Sequence, residues 1–363
     1  CPYCDFNSHI SKNIDQKQWL DSYLSELHRS AAETPDRVLN TIFFGGGTPS
    51  LMAPETVAAV IDTARALWRP ANDMEVTLEA NPGSVEAGRF AAYRDAGVNR
   101  VSMGIQAMND EDLRRLGRIH TVAEARAAFD IARTCFDRVS FDLIYARQHQ
   151  TLDAWQKELT EALSMAIDHL SLYQLTIEDG TAFGDRYALG KLRGLPEDDS
   201  AADMYLLTQE ICEAHGLPAY EVSNHARPGA ESQHNLIYWR YGDYAGIGPG
   251  AHGRLTIDGK RYASETHREP GAWLEAVRQG SGETVFDALT PTDQADEYAM
   301  MSLRLAEGMD EARYERLAGR PLDERAVQNL IDLGMIAREN GRIVVQDQGF
   351  MILNTVLAEL LVA

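Results

Sequence analysis

The sequence is poor in several features that would settle its class at once. Its 363 residues hold only four cysteines, too few and too scattered for the disulfide framework of a small secreted domain. No run approaches the ~18–20 apolar residues of a membrane-spanning helix. Positive charge is in deficit, since 34 Lys and Arg against 55 Asp and Glu leave a formal charge of −21. That excess repels phosphate backbones and anionic headgroups, so no nucleic-acid partner is expected, and at most peripheral membrane contact. Repeats and low-complexity tracts are missing as well. The chain opens on Cys1-Pro2-Tyr3-Cys4 with no initiator Met, so residue 1 is not expected to be the natural start. Cysteine usage favours a reducing, cytoplasmic compartment. What remains is 44% apolar, enough for a sizeable core in one large domain with one or two smaller ones.

From residue 38 to about 225, short apolar runs alternate with amphipathic segments. The spacing predicts strands over Val38–Phe44, Glu75–Glu79, Arg100–Ile105, Arg138–Ile144 and His169–Ile177. Helices are expected between them, over Pro54–Trp68, Val85–Ala96, Asp110–Leu116, Val122–Thr134 and Thr151–Ala166. Such alternation means parallel strands joined by crossover helices. A sixth strand could precede Cys1. The pattern alone fits either an open barrel or a doubly wound sheet.

Residues 222–265 are rich in Gly, Tyr, Asn and His and show little period. They read as a structured loop region lying over a site, and their aromatics argue against disorder. Beyond Thr292 helices are expected at Asp293–Ala306, Glu311–Ala318 and Asp323–Leu333. A hairpin on Asn340-Gly341 and a helix over Gly349–Leu361 follow. Together these suggest a small winged-helix-like module, read as a packing or docking element because the chain is acidic.

Cys1 and Cys4 form a CxxC pair with three readings. Half a zinc site needs a second pair, and Cys135 and Cys212 show no ligand spacing. A thioredoxin-like pair wants a helix at the first cysteine, and Asp5-Phe6-Asn7-Ser8 begins one poorly. The third reading is the tail of an iron–sulfur loop. About forty residues on, Phe43-Phe44-Gly45-Gly46-Gly47-Thr48-Pro49-Ser50 sits at a strand's C-terminal end, where glycines let backbone N–H groups approach a polar ligand. The CxxC and this GGxTP segment resemble the radical S-adenosylmethionine (radical SAM) superfamily. CPYCDFNSH, FFGGGTPS, EANPGS, SMGIQAM, LGRIH, DLIY, HNLIYW and LRLAEGM, in that order along the whole chain, resemble one branch of it. That branch holds oxygen-independent coproporphyrinogen III oxidase and its heme-chaperone relative.

The resemblance implies an α/β fold. A partial (β/α)6 radical-SAM barrel, its first strand truncated, would be followed by a C-terminal winged-helix-like α+β module. The implied domains are residues 1–225 for the barrel, 226–290 for a loop-rich connector and 291–363 for the HemN-type module. A 4Fe-4S cluster would be held by Cys1, Cys4 and a cysteine four positions before Cys1, its fourth iron open to S-adenosyl-L-methionine. Tyr3 would pack near the adenine. Gly46, Gly47 and Thr48 would take the methionine end, and Glu79 would accept a hydrogen bond from SAM. Gln106, Arg118 and Asp142 would continue round the strand ends. Arg118 suits a carboxylate, Asp142 ribose hydroxyls. Related sequences usually follow DLIY with a Gly-x-Pro-Gly-like turn. Here it is Ala146-Arg147-Gln148-His149, whose Arg147 and His149 read as solvating the turn rather than touching substrate.

Two features bear on which member of the branch is resembled. The oxidase has a cysteine two positions after the third, where this chain has Phe6. His234-Asn235-Leu236-Ile237-Tyr238-Trp239 is an HNxxYW segment like that of the chaperone and its heme-handling relatives. His234 would ligate heme iron, Asn235 would fix its tautomer, and Tyr238 and Trp239 would face the porphyrin. The implied protein binds heme, a cluster and SAM and delivers heme to acceptor proteins, respiratory ones among them. A homodimer is left open. The alternatives are oxidative decarboxylation of coproporphyrinogen III to protoporphyrinogen IX, as by a coproporphyrinogen dehydrogenase, and a radical-SAM enzyme that methylates or degrades heme.

Overall fold

The structure, a computed structural model, describes residues 2–4, 7, 9, 14–85 and 87–361. The chain divides into two compact units. The first comprises Cys1–Leu24, Arg37–Ala219 and Ser223–Glu231; the second comprises Ser25–Asp36, Tyr220–Val222 and Ser232–Ala363.

Among its described residues the first unit holds a six-stranded sheet. The strands are β1 (Val38–Phe44), β2 (Arg69–Ala80), β3 (Arg100–Gln106), β4 (Arg138–Tyr145), β5 (His169–Gln174) and β6 (Asn224–Ala226), side by side in chain order. β1 to β5 are parallel, and β6 closes antiparallel on β5. The expected strands are all present, and the crossover helices lie between them at Pro54–Leu67, Ala87–Asp95, Asp110–Arg115, Val122–Cys135 and Leu152–Met165. Local chemistry starts several of these helices. Thr121 and Glu124 form a capping box, and Asn109 and Thr151 cap by their side chains. β6 comes from the stretch read as loop.

Alternate strand residues face opposite ways. One set, including Val76, Leu78, Val101, Met103, Phe141, Leu143, Leu170 and Leu172, forms a core with Ile61, Phe90, Phe129, Trp155 and Leu159 of the helices. The other set runs in register as Thr77, Arg100 and Arg138, then Glu79, Ser102 and Ser140, then Gly104, Asp142 and Ser171. Cys212 is buried in the apolar core and Cys135 packs against it. Burial pushes the Cys212 thiol up to about 12, so it stays protonated and is no ligand-like thiolate.

The second unit holds a three-stranded antiparallel sheet, β7 (His252–Ile257), β8 (Lys260–Thr266) and β9 (Glu283–Ala288), with a helix over Pro270–Arg278. Here the loop reading fails. Residues 252–266 are a hairpin on Asp258-Gly259, with φ of +48° and +76°, the geometry of a two-residue type I′ turn. The C-terminal module has helices over Pro291–Ser302, Glu311–Ala318 and Glu324–Asp332. Its small sheet is built from β10 (Met309–Asp310), β11 (Ile336–Glu339) and β12 (Arg342–Val345). The expected Asn340-Gly341 hairpin joins β11 to β12. The last helix is two, Asp347–Met351 and Leu353–Leu361, because Ile352 leaves helical geometry. No helix among the described residues is long and apolar enough to cross a membrane.

Candidate functional site

The site is built where β1 to β4 end. β1 hands the chain to Gly45, Gly46 and Gly47, all exposed. Gly46 takes φ +107°, a region that side chains rarely enter, and its N–H donates to Glu79 Oε2 at 3.2 Å. Thr48 Oγ1 donates to the Gly47 carbonyl at 2.8 Å. Behind them Ser50, fully buried, lies 2.5 Å from the Ser84 hydroxyl and accepts from the Asn81 N–H at 3.3 Å. The loops after β1 and β2 are thereby fastened together.

Glu79 is half-buried near the end of β2. Burial raises its carboxyl to about 7. The Gly46 N–H pulls it down and the negative Asp142 pushes it further up. Asp142, on β4, is raised to about 6 by burial, against the Gln106 hydrogen bond and the Arg118 charge. Two neighbouring carboxyls that titrate near neutrality can accept protons as well as hydrogen bonds, a common property of ligand sites.

Gln106 ends β3 with φ +70°, uncommon for a residue with a side chain. Its Nε2 donates to Asp142 Oδ2 at 2.5 Å, while its Oε1 is buried without a hydrogen-bond partner. Arg118 Nη2 donates to the Gly104 carbonyl at 3.1 Å. A Cβ on Gly104 would stand 2.9 Å from Gln106 Nε2, so glycine leaves room for both side chains. Tyr3 lies edge-on to Phe183, ring centroids 6.2 Å apart. Burial pushes its hydroxyl up to about 12, Arg118 acts against this, and Asp142 and Cys4 add to it. Pro2 is held by its carbonyl, which accepts from Phe183 N–H at 2.8 Å.

The fold thus gathers Tyr3, Cys4, Gly46, Glu79, Gln106, Arg118 and Asp142, with Gly47 and Thr48 on the same loop as Gly46. Cys1 and Phe6 lie outside the described residues. The arrangement fits a ligand with a cationic amine, a carboxylate and hydroxyls. Acidic acceptors, an arginine and an exposed glycine backbone converge, and the orphaned Gln106 oxygen lacks the partner that a buried acceptor ordinarily has. One feature went unread in the sequence and another was misread. His120, buried, reaches the Ile105 carbonyl at 3.1 Å through Nε2; burial and the Arg118 charge lower its pKa. Arg147 is also buried, not solvating its turn. It pairs with Asp112 at 3.0 Å and Glu158 at 2.6 Å, partners 35 and 11 residues away.

His234 belongs to the second unit. Its segment is a helix over Gln233–Trp239, with Ser232 as N-cap accepting from the Asn235 N–H at 3.3 Å. Helical spacing puts His234 and Tyr238 on one face. His234 Nε2 and the Tyr238 hydroxyl are 2.7 Å apart, the rings edge-on, and Tyr238 meets Tyr244 in the same way at 4.4 Å between centroids. The ring partner on Nε2 is therefore Tyr238, and the Trp239 indole nitrogen is buried without a partner.

A six-stranded, mostly parallel sheet with a polar cluster at its strand ends and a separate helix-and-wing module define a radical-SAM protein of the HemN type. Residues 1–161 match the radical SAM superfamily and residues 289–352 the HemN C-terminal domain. The structure overlays on coproporphyrinogen III oxidase (HemN) from Escherichia coli, a radical SAM enzyme. The TM-score is 0.81 over 99% of this chain and 86% of that one, at 21% identity, a likeness of fold. The chain is 39% identical to the heme chaperone HemW of Escherichia coli strain K12, over 92% of itself and 86% of that protein. It is 32% identical to HemW of Bacillus subtilis strain 168, over 99% and 96%. The chain belongs to the HemW family. Membership of the radical SAM superfamily implies a 4Fe-4S cluster and SAM.

Proposed function

We propose that this protein is a cytoplasmic heme chaperone that binds a 4Fe-4S cluster, SAM and heme and delivers the heme to acceptor proteins. The observation that carries the SAM part is the buried, unpartnered Gln106 Oε1 set among Glu79, Arg118 and Asp142. When bound, the cluster and SAM supply one-electron chemistry at this site. Cys1 and Cys4 provide thiolates to iron. The Gly46–Thr48 loop offers backbone groups to the methionine end, and Glu79, ionised, accepts from its amine. Arg118 pairs with the carboxylate, as a guanidinium does well. Gln106 and Asp142 orient the ribose, and Tyr3 and Phe183 shield the adenine side from water.

Heme is cargo in this reading. His234 would offer its imidazole to the heme iron, and ligation through Nε2 would require the Tyr238 hydroxyl to give up its 2.7 Å contact. Tyr238, once released, remains on the same helix face to pack against the macrocycle. The relatives' name and Phe6, where the oxidase carries a cysteine, support carriage over turnover.

Hemin titration of the full-length protein, followed by its Soret band, tests the cargo. His234→Ala is expected to weaken heme binding about tenfold or more while leaving iron and sulfide content unchanged; unaltered affinity would remove His234. Reconstituted protein given SAM, a reductant and coproporphyrinogen III is expected to release no protoporphyrinogen IX, and multiple turnovers would replace the chaperone reading with the oxidase one.

A further inference from the structure

We propose that Arg147 and Glu158 are positioning residues for the SAM site, a buried ionic bolt that holds Gln106 and Asp142 in their working geometry. The inference rests on the reading of Gln106 and Asp142 as SAM-binding residues. Neither Arg147 nor Glu158 touches the cluster of site residues directly, yet both hold the chain next to it.

Glu158 projects from the helix Leu152–Met165 and is buried. Its Oε1 accepts the Met108 N–H at 2.6 Å, two residues beyond Gln106. Its Oε2 accepts Arg147 Nη2 at 2.6 Å and Gln150 Nε2 at 3.1 Å. Arg147 Nη1 donates to the Ile144 carbonyl, two residues beyond Asp142, and Nη2 also reaches Asp112 at 3.0 Å. One ion pair therefore ties the exit of β3 to the exit of β4. Those two strands carry the Gln106–Asp142 hydrogen bond.

The place that is bolted is also the strained one. Gln106 at φ +70° and Ala146 at φ +55° are both left-handed without being glycine. Such conformations persist only where the surroundings over-determine them. Around Gln106 three side chains do so. Arg118 holds the carbonyl of Gly104, His120 meets that of Ile105, and Glu158 takes the N–H of Met108. A buried ion pair is a poor way to gain stability, because desolvating both charges cancels most of their attraction. Its value here is directional. The carboxylate and guanidinium fix the spacing of two loops more tightly than apolar packing would.

A double-mutant cycle tests the idea, read as SAM affinity by equilibrium dialysis on reconstituted full-length protein, with thermal midpoints measured alongside. Gln106→Ala and Arg147→Leu are each expected to weaken SAM binding about tenfold, and the double variant to lose less than the two losses combined, the part of the Arg147 effect that acts through Asp142 persisting. Arg147→Leu should lower the thermal midpoint equally in both backgrounds, since that cost is not routed through Gln106. Additive losses of SAM affinity, or full affinity in a folded Arg147→Leu protein, would overturn the positioning role. Full affinity in Gln106→Ala would instead overturn the SAM reading, and the inference with it. If Arg147→Leu does not fold, Arg147→Lys, which keeps the charge but not the fork, runs the same cycle with the same outcomes.

Discussion

The two faces of the barrel sheet are made by alternate residues of the same strands, and they obey different rules. The face toward the helices is aliphatic and aromatic throughout, from Val76 and Leu78 to Leu170 and Leu172. The opposite face carries Glu75, Thr77 and Glu79, then Arg100 and Ser102, then Ser140 and Asp142. In a closed eight-stranded barrel, inward side chains are bulky and branched and fill the lumen. Here they are charged or hydroxylated, so this face cannot owe its place to apolar packing. Below the strand ends polar pairs hold it, as Arg138 with Glu75 at 2.9 Å and Arg100 with Ser140 at 2.9 Å. Nearer the ends lie Glu79 and Asp142, in successive rows, and the overhanging Gln106, whose oxygen has no partner. Stability is concentrated on one face and ligand capacity on the other, at the strand ends.

The largest effects should therefore fall on the helix-packed face. Phe141 is fully buried against Phe129, ring centroids 5.3 Å apart, and Phe141→Ala should cost about 3–5 kcal/mol. Ser102→Ala, on the other face of the neighbouring strand, should cost about 1 kcal/mol or less. Urea unfolding followed by tryptophan fluorescence measures both. Equal losses would mean that the polar face is part of the core, and the contrast would be gone.

Next in size are losses of binding without losses of fold. Asp142→Ala and Arg118→Ala should each weaken SAM binding about tenfold or more, as removal of a charged hydrogen-bonding partner does. Their unfolding midpoints should fall much less than that of Phe141→Ala, since each gives up a hydrogen bond within the site rather than core packing. A parallel fall in both quantities would show that these side chains hold the strand ends rather than a ligand.

How much of this was legible in the sequence follows the same division. β1 to β5 could be read because each carries a short apolar run between helical segments, as around Val101, Met103 and Ile105. β6 could not, being three residues long and without an apolar run. The two Asp/Asn-Gly hairpins show how narrow the margin is. Asn340-Gly341 and Asp258-Gly259 have nearly the same backbone, and Leu255, Ile257 and Tyr262 beside the second alternate with polar residues as a strand's would. That hairpin was passed over because it lies inside the Gly-, Tyr- and His-rich stretch read as one loop. The candidate site residues were named through resemblance to a family and their places at strand ends. Arg147 was misread because an arginine in a polar turn ordinarily faces water, and its burial depends on Asp112 and Glu158 arriving from other elements. His234 with Tyr238 was missed as a pair because the segment was taken for loop, where a spacing of four carries no meaning.

The smallest expected effect tests the polar face through pH. The folded carboxyl of Glu79 sits at about 7, above its ordinary 4.5, and that of Asp142 at about 6, above 3.8. A group raised on folding binds protons more tightly in the native state, so stability is greatest in acid and falls as pH rises through these values. Without SAM the protein should lose thermal stability between about pH 4 and pH 7. Glu79→Gln and Asp142→Asn should each flatten that dependence, Asp142→Asn up to about pH 6 and Glu79→Gln up to about pH 7. Solvent reaches both groups, so the slope will be modest. In the proposed site SAM would bring its cationic amine to Glu79 and favour the ionised carboxyl, so it should raise the midpoint more at pH 8 than at pH 6. Equal shifts at the two pH values would separate Glu79 from the amine and leave its carboxyl a partner of Gly46 alone.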